Sequence, residues 1–346
     1  MADNILKVHI RKRIGDFSLQ ADFEAGDGVL SLLGASGCGK SLTLKCIAGI
    51  EKPDEGQILL GSRILFDSSE KINLTPQKRH VGYMFQDYAL FPSMTVRQNV
   101  LSGMGKRPGA KEADPYLERF CIAEYADRLP AGLSGGQKQR AAMARLAAQN
   151  PDVILLDEPF SALDSYLKWQ LEDEMHGLLS EVNKPAVFVS HDRDEVYHMS
   201  SQICCMRDGQ TETQMERDRF FRFPQTKTAA ILSGCKNVSE VFIEGGRVRV
   251  PAWNLEYTGS FPAGPKPNYL GIRAHSFSRE ITEKDDLCIP VFDAHIVEDP
   301  FEWTIFFKTS ADGRTLQWKT PKQSEGGFIS IPERLYLKRD SLLYLF

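Results

Sequence analysis

Three runs of consecutive apolar residues stand out in the first part of the chain. They are GVLSLLG, VILLD and AVFVS, at residues 28–34, 153–157 and 186–190. A short continuous apolar run is typical of a strand that is buried on both faces of a parallel sheet. Helix-like stretches follow two of these runs and begin near Lys40 and near Leu163. This alternation of strand and helix predicts an α/β architecture.

The segment from about residue 87 to residue 132 lacks such runs and has a helix-like pattern. We therefore expect a helical subdomain to be inserted there. With this insertion, the α/β domain is predicted to occupy residues 1–230 of the 346-residue chain. The full length of 346 residues is too great for one ordinary domain, so a second domain is expected after the first.

After about residue 235 the pattern changes to short strands separated by Pro- and Gly-rich stretches. EVFIEGGRVRV is typical of a hairpin with Gly245 and Gly246 in its turn, and WTIFFKTSADGRTLQW repeats that pattern around Asp312 and Gly313. GFISI and SLLYLF add further short strands. The pattern predicts a small all-β domain over residues 235–346, which we expect to be an OB-like barrel.

Composition and charge narrow the range of functions. The chain carries 42 basic and 46 acidic residues, which disfavours a nucleic-acid-binding surface. The sequence has no apolar run long enough to cross a bilayer and no signal-peptide core at its start, so a membrane role is expected to depend on a partner. Its seven cysteines form no C-x-x-C pair, and we predict reduced thiols and no cysteine metal site.

A phosphate-binding loop is predicted directly after the first apolar run. GASGCGKS at residues 34–41 fits the pattern G-x-x-x-x-G-K-[ST] between a strand and a helix. Glycines allow backbone N–H groups to surround an anion, and the following helix presents its positive end. Lys40 is expected to reach the β- and γ-phosphates of ATP, and Ser41 to bind Mg²⁺. The predicted nucleotide contacts in this loop are Gly34, Ser36, Gly37, Cys38, Gly39, Lys40 and Ser41.

A second motif, LSGGQ, lies at residues 133–137 and is followed by KQRAAMARLAAQNP. Downstream of a phosphate loop, this motif resembles the signature of the ATPase domain of ABC transporters, and the resemblance covers about the first 225 residues. It implies that two copies of the chain pair head to tail. It also implies that the signature of one copy closes over the ATP held by the other, through Ser134, Gly135, Gly136 and Gln137.

The run VILLD ends in two carboxylates, Asp157 and Glu158. Ligands of open α/β sheets bind at the carboxyl ends of the strands, and neighbouring side chains on a strand point in opposite directions. Asp157 is therefore predicted to hold Mg²⁺, and Glu158 to accept a proton from the attacking water.

The resemblance implies roles for several further residues. His191 would contact the γ-phosphate, Gln86 would approach Mg²⁺ and the water, and Asp164 in SALD would communicate across the dimer. Adenine would stack on Phe17, with Phe23 as the competing candidate.

The segment DYALFPSMTVRQN also resembles a surface of the family, the one on which a helix of the channel subunit rests. Its apolar contacts would be Tyr88, Leu90, Phe91 and Met94. The resemblance thus implies integral-membrane permease subunits as partners, an extracytoplasmic solute-binding protein as an indirect partner, and a peripheral position on the cytoplasmic face of the membrane.

GCKNV at residues 234–238 and LGIRAH at residues 270–275 resemble the regulatory domain of importer ATPases. The GIRAH form and the N-terminal DFEAG are most similar to the molybdate, tungstate and sulfate importers. Lys236, Arg273 and His275 would suit a tetrahedral oxyanion if they converged, and a structural or solvated role in a small barrel is the alternative for all three. A polyamine or sugar importer remains an alternative. A non-transport ABC ATPase would need long insertions or tandem domains, and a regulator without catalysis would not need Glu158.

Overall fold

The computed structural model describes residues 5–104, 109–161, 165–182, 184–259, 265–322 and 330–346. The chain divides into two compact units, residues 1–217 and 218–346. This division lies earlier than the predicted boundary at residues 230–235. The reason is that helix Lys227–Leu232 buries Ala230 in a cluster with Cys235 and Leu345 of the second unit.

The first unit combines strands and helices. Its strands are β1 (Leu6–Ile14), β2 (Phe17–Ala25), β3 (Val29–Leu33), β4 (Glu55–Leu60), β5 (Arg63–Asp67), β6 (Ile72–Asn73), β7 (Val81–Met84), β8 (Val153–Asp157), β9 (Ala186–Ser190), β10 (Gln202–Arg207), β11 (Gln210–Thr211) and β12 (Met215–Glu216). Its helices are α1 (Lys40–Ala48), α2 (Pro76–Arg79), α3 (Val96–Gly103), α4 (Asp114–Arg119), α5 (Gly135–Gln149), α6 (Ser165–Val182) and α7 (Arg193–Met199).

Strands β10, β3, β9, β8 and β7 are hydrogen-bonded in that order as a parallel sheet. Every residue of β3, β8 and β9 is buried, which explains why these three strands appear in the sequence as unbroken apolar runs. The predicted α/β architecture is confirmed. Because the strands are parallel, the loops that follow β3, β7, β8 and β9 leave the sheet at the same edge.

An antiparallel half, which the apolar runs did not reveal, continues the sheet in the order β6, β5, β4, β1 and β2. The short strand β11 joins the halves because it pairs with both β2 and β10. Along β1, Leu6, Val8 and Ile10 are buried while the residues between them are exposed. These side chains share one core with residues of β3, β8 and β9.

Between β7 and β8 the described residues contain helices and no strand, as predicted for an inserted helical subdomain. This segment holds α3, α4 and three single 3-10 turns before α5 begins at Gly135. No helix in the described ranges is long and apolar enough to cross a membrane.

In its described residues the second unit is all-β apart from its first helices and three short 3-10 turns, as predicted. It begins within α8 (Arg217–Arg222), which crosses the division, and contains α9 (Lys227–Leu232). Its strands are β13 (Asn237–Glu240), β14 (Phe242–Glu244), β15 (Arg247–Val250), β16 (Leu255–Thr258), β17 (Tyr269–Ile272), β18 (Phe277–Ser278), β19 (Leu287–Pro290), β20 (Phe292–Glu298), β21 (Glu302–Lys308), β22 (Leu316–Pro321), β23 (Arg334–Leu337) and β24 (Leu342–Leu345).

These strands form four three-stranded antiparallel sheets around one core, an arrangement consistent with an OB-like domain. Both predicted hairpins are present, and Gly245 and Gly246 have the positive φ angles that a two-residue turn requires. The predicted strand in SLLYLF is β24. For GFISI, residues 327–329 lie outside the described residues, and residues 330 and 331 are not in a strand.

Candidate nucleotide-binding site

The predicted phosphate loop occupies residues 34–41, between the end of β3 and the first turn of α1. Gly37 and Gly39 have φ angles of 79° and 108°, which residues with a side chain rarely adopt. Gly34 is required for a different reason, because a Cβ added there would lie 2.1 Å from the carbonyl oxygen of Met206 on β10. The loop is thus pressed against the sheet and presents its backbone at the start of a helix.

Lys40 is buried, with 5% of its surface exposed. Its Nζ donates hydrogen bonds to the carbonyl oxygens of Gly34 at 2.8 Å and Ala35 at 3.0 Å. Burial raises the pKa of the neighbouring Cys38 thiol, although the charge of Lys40 opposes part of this effect. A protonated Cys38 leaves the positive charge of Lys40 available to an anion in the loop.

The Asp157 carboxylate at the end of β8 accepts hydrogen bonds from the phosphate loop and from β7. The Ser41 hydroxyl donates to Asp157 Oδ1 at 2.8 Å, and the Tyr83 hydroxyl donates to Asp157 Oδ2 at 2.8 Å. Burial, and then the Asp157 charge, raise the pKa of Tyr83, so this hydroxyl keeps its proton. Sequence reasoning missed Tyr83. Only the pairing of β7 with β8 places it beside Asp157.

The oxygen atoms of Ser41 and Asp157 fit the ligand preference of Mg²⁺, a hard cation that binds through few protein ligands. Asp157 is also largely buried, so its charge is weakly screened. Gln86, the third predicted Mg²⁺ ligand, lies two residues beyond β7 with an exposed side chain.

Glu158 and His191 follow β8 and β9, which are adjacent in the sheet. Glu158 Oε2 lies 3.3 Å from His191 Nδ1. Glu158 has a φ angle of 46°, an uncommon conformation for a residue with a side chain, and its backbone N–H donates to Val189 on β9 at 3.0 Å. Residues held in such conformations are concentrated at functional sites. The structure therefore brings together Glu158 and His191, two of the three side chains that the sequence assigned to catalysis, the third being Gln86.

The signature motif forms the start of α5. Ser134 is the N-cap residue: its Oγ accepts from the N–H of Gln137 at 3.4 Å, and its own N–H donates to Gln137 Oε1 at 2.9 Å. Ser134 and Gly135 are exposed, while Gly136 is buried. An exposed N-terminus of a 15-residue helix is suited to contact an anion on another molecule.

The structure distinguishes between the two candidates for adenine stacking. A Cβ added at Gly39 would lie 3.1 Å from Phe17 Cζ, so the half-buried Phe17 ring lies against the phosphate loop. Phe23 is 4% exposed and belongs to the core of the first unit. Of the two, only Phe17 lies beside the predicted nucleotide contacts.

Some of the predicted residues are not brought together, or lie elsewhere. Asp164 lies outside the described residues. Tyr88 is 4% exposed, so its side chain belongs to the interior and not to the predicted docking surface, whereas Phe91 is 48% exposed.

In the second unit, Arg273 donates to the carbonyl oxygens of Ser233 and Phe221, and His275 pairs with Glu302. Arg273 and His275 thus each have protein partners in this structure, and an oxyanion site built from them stays a hypothesis.

Comparison with known proteins agrees with this geometry. Residues 18–161 match the family model described as ABC transporter. Together with the phosphate loop, this match assigns the ABC ATPase cassette fold to the first unit. The chain is also similar to the dimeric structure of MJ0796, a bacterial ABC transporter cassette. That similarity has a TM-score of 0.53 at 29% identity and covers 62% of this chain and 98% of that one.

Among curated proteins, the chain is 46% identical over 186 residues to an Fe(3+) ions import ATP-binding protein of Haemophilus influenzae, with 52% of each chain covered. It is 38% identical to a spermidine/putrescine import ATP-binding protein of Chromobacterium violaceum, covering 67% of this chain and 65% of that protein. It is also 38% identical to a molybdenum import ATP-binding protein of Rhodospirillum rubrum, covering 60% and 56%. The matched region thus spans about half to two thirds of the length of these relatives.

Proposed function

We propose that this protein is the ATP-hydrolysing subunit of an ABC importer. The observation that carries the proposal is the cluster at one edge of the parallel sheet. There Ser41 lies 2.8 Å from Asp157, next to the buried Lys40, and Glu158 lies 3.3 Å from His191. In this cluster Lys40 is a phosphate-binding cation, Ser41 and Asp157 are a pair of oxygen ligands for Mg²⁺, and Glu158 is a carboxylate that can accept a proton.

In the proposed reaction, Lys40 exchanges its hydrogen bonds with the loop carbonyls for bonds to the β- and γ-phosphates of ATP. Ser41 and Asp157 would hold Mg²⁺, and the ion would supply positive charge against the negative charge that develops on the phosphates. Glu158 takes a proton from the water that attacks the γ-phosphorus, the bond from the γ-phosphorus to the bridging oxygen breaks, and ADP leaves with that oxygen. His191 donates a hydrogen bond to the γ-phosphate. Gln86 orients the water, and Phe17 stacks on the adenine ring.

We propose that each site is completed by a second copy of the chain. The N-terminus of α5 supports this, because Ser134 and Gly135 are exposed there and, with Gly136 and Gln137, form a helix end suited to bind a phosphate of another molecule. The similar solved cassette, MJ0796, is dimeric. Asp164 of the SALD loop would communicate between the two sites.

The names of the curated relatives support import as the direction of transport, with permease subunits as the direct partners and a solute-binding protein as an indirect one. They name Fe(3+), spermidine/putrescine and molybdenum as cargo. Within this range we propose a tetrahedral oxyanion such as molybdate, tungstate or sulfate, supported by the GIRAH form at residues 271–275. A polyamine or sugar is the alternative. The chain would then be a peripheral protein on the cytoplasmic face of the membrane.

Replacement of the proposed base tests the hydrolytic function. Glu158→Gln keeps the size of the side chain but cannot accept the proton, so we expect ATP binding to persist, the dimer to accumulate and turnover to fall about 10²- to 10⁴-fold. The control is Glu181→Gln, which changes an exposed carboxylate paired with Arg119. Hydrolysis by Glu158→Gln at the parental rate would contradict the proposal.

The cargo proposal needs the complete transporter. We would reconstitute the chain with its permease and solute-binding protein and measure ATP turnover with molybdate, tungstate, sulfate and spermidine in turn. Stimulation by the oxyanions alone is the expected result. Stimulation by spermidine alone would replace the proposed cargo but leave the ATPase assignment intact.

A further inference from the structure

The loop that follows Gln86 has an unfavourable backbone. Tyr88 and Ala89 are consecutive residues with side chains, and their φ angles are 62° and 42°. The left-handed conformation costs roughly 1–2 kcal/mol for each such residue. In addition, the Tyr88 hydroxyl is buried and has no hydrogen-bond partner among the described residues. A loop with these features persists only if its surroundings hold it in place.

Arg145 of α5 provides that support. Its Nη1 donates to the carbonyl oxygen of Ala89 at 2.7 Å, and its Nη2 donates to that of Tyr88 at 2.8 Å. The guanidinium also lies over the Phe91 ring, 5.7 Å from its centroid. One side chain thus binds both strained residues through the planar fork of its guanidinium, a geometry that lysine cannot reproduce.

The far end of the loop is held by a different helix. Asn99 of α3 is fully buried, accepts from the N–H of Phe91 at 2.8 Å and donates to the carbonyl oxygens of Phe91 at 3.2 Å and Met94 at 3.0 Å. The loop is therefore fixed to α3 at residues 91–94 and to α5 at residues 88 and 89. Arg145 is the link that joins the loop to the helix that begins with the signature motif.

We propose that Arg145 is a positioning residue that couples the loop after Gln86 to the signature helix. This inference rests on the proposed function. When ATP on a second copy draws Ser134 and the start of α5 toward it, Arg145 carries that displacement to residues 88 and 89. The strain at these two residues and the unpaired Tyr88 hydroxyl keep a second loop conformation within reach, which a coupling element requires.

Hydrogen exchange of the full-length chain tests this inference, because the loop contains its own reporters. The amides of Tyr88, Phe91 and Met94 each donate a hydrogen bond within the loop or to Asn99. Exchange is measured with and without MgATP in the Glu158→Gln background, in which ATP is bound but not consumed. The amides at residues 134–138 report separately whether the signature meets the nucleotide.

Three variants are compared in that background. Arg145→Met keeps an unbranched stem but removes both hydrogen bonds. Arg145→Lys keeps the charge without the fork. Arg140→Met is the matched control on the same helix, since Arg140 Nη2 instead pairs with Glu174 of α6 at 2.7 Å. Thermal melts establish that each variant is folded.

In the Glu158→Gln chain and in the Arg140 control, we expect MgATP to slow exchange both at residues 134–138 and in the loop. In Arg145→Met, slowing at residues 134–138 should persist while the loop loses its response to nucleotide. The loop should also exchange at least about tenfold faster, because each bond to a charged donor contributes about 1.5–3 kcal/mol. In Arg145→Lys, the exchange rate of the loop and its response to nucleotide should lie between those of the control and those of Arg145→Met.

A loop in Arg145→Met that still responds to MgATP as the control does would overturn the inference while leaving the proposed ATPase intact. The same conclusion follows from an unchanged loop response in Arg145→Lys, which serves if Arg145→Met does not fold. The absence of any nucleotide response at residues 134–138 in the Glu158→Gln chain would instead refute the shared site, and the coupling inference with it.

Discussion

The first glycine of the phosphate loop offers a sharp test of the site geometry. In Gly34→Ala the new Cβ would lie 2.1 Å from the carbonyl oxygen of Met206 and 2.8 Å from the Sγ of Cys38. Carbon–oxygen contacts in proteins normally begin near about 3.3 Å. Because Met206 belongs to β10, which is hydrogen-bonded to β3, the sheet cannot move away easily. The loop must therefore shift by about 1 Å, the difference between these distances.

A displacement of about 1 Å at a binding site can cost roughly 10²-fold in function. We therefore expect ATP affinity to fall about 100-fold, which corresponds to about 2.7 kcal/mol. Nucleotide binding is measured by calorimetric titration on protein whose circular dichroism matches that of the parent. Two other glycines calibrate the result, because a Cβ meets nothing within 4 Å at either Gly37 or Gly132.

Gly132→Ala should leave ATP affinity unchanged. Gly37→Ala should lose less ATP affinity than Gly34→Ala, because the added Cβ at Gly37 meets no neighbouring atom. Some affinity should still be lost, since a residue with a side chain at a φ angle of 79° costs about 1–2 kcal/mol. A folded Gly34→Ala variant that binds ATP as tightly as the parent would refute the reasoning, since the loop would then tolerate displacement from the sheet.

Three further predictions concern stability and thiol reactivity. Tyr83→Phe removes the donor to the buried Asp157 carboxylate, so the free energy of unfolding of the first unit should fall by about 1.5–3 kcal/mol; an unchanged melting temperature would contradict this. Asn237→Ala removes three hydrogen bonds, of 2.7 to 3.0 Å, within the second unit and should lower the melting temperature of that unit while ATP affinity stays the same. Burial raises the pKa of the five buried thiols, so at pH 8 iodoacetamide should modify the exposed Cys121 and Cys288 first, as mass spectrometry would reveal. Equal labelling of all seven would show that the buried thiols are accessible.

The sequence predicted the parallel half of the first unit because its strands are buried on both faces and are therefore apolar throughout. The antiparallel half of the sheet was not predicted, although the sequence of β1 has a clear strand pattern. Its buried Leu6, Val8 and Ile10 alternate with exposed residues, and a search for period-2 alternation would have found them. The charged residues between them hid the strand from a search for continuous runs.

In the candidate site, too, some residues could be predicted from the sequence and others could not. The phosphate loop and the signature are single stretches of chain, so their residues could be predicted from local patterns. Tyr83 and Arg145 could not, because their partners are 74 and 57 residues away in sequence, at Asp157 and Tyr88. Each contact depends on which strands and helices are neighbours, and one sequence alone does not determine that. The partners of Arg273 were hidden for the same reason, since it binds backbone carbonyls that no local pattern reveals.

The way in which Arg145 and Asn99 hold the loop has a consequence for how such a protein can diversify. Both side chains form their hydrogen bonds with the main chain of residues 88–94, so these bonds do not depend on the identity of Leu90 or Met94, whereas Phe91 also contributes its ring beneath Arg145. Mutations at these positions can change the chemistry of the surface while the path of the main chain is retained. If a partner subunit binds here, as the resemblance implies, a few substitutions would be enough to change which partner is recognised without rebuilding the fold.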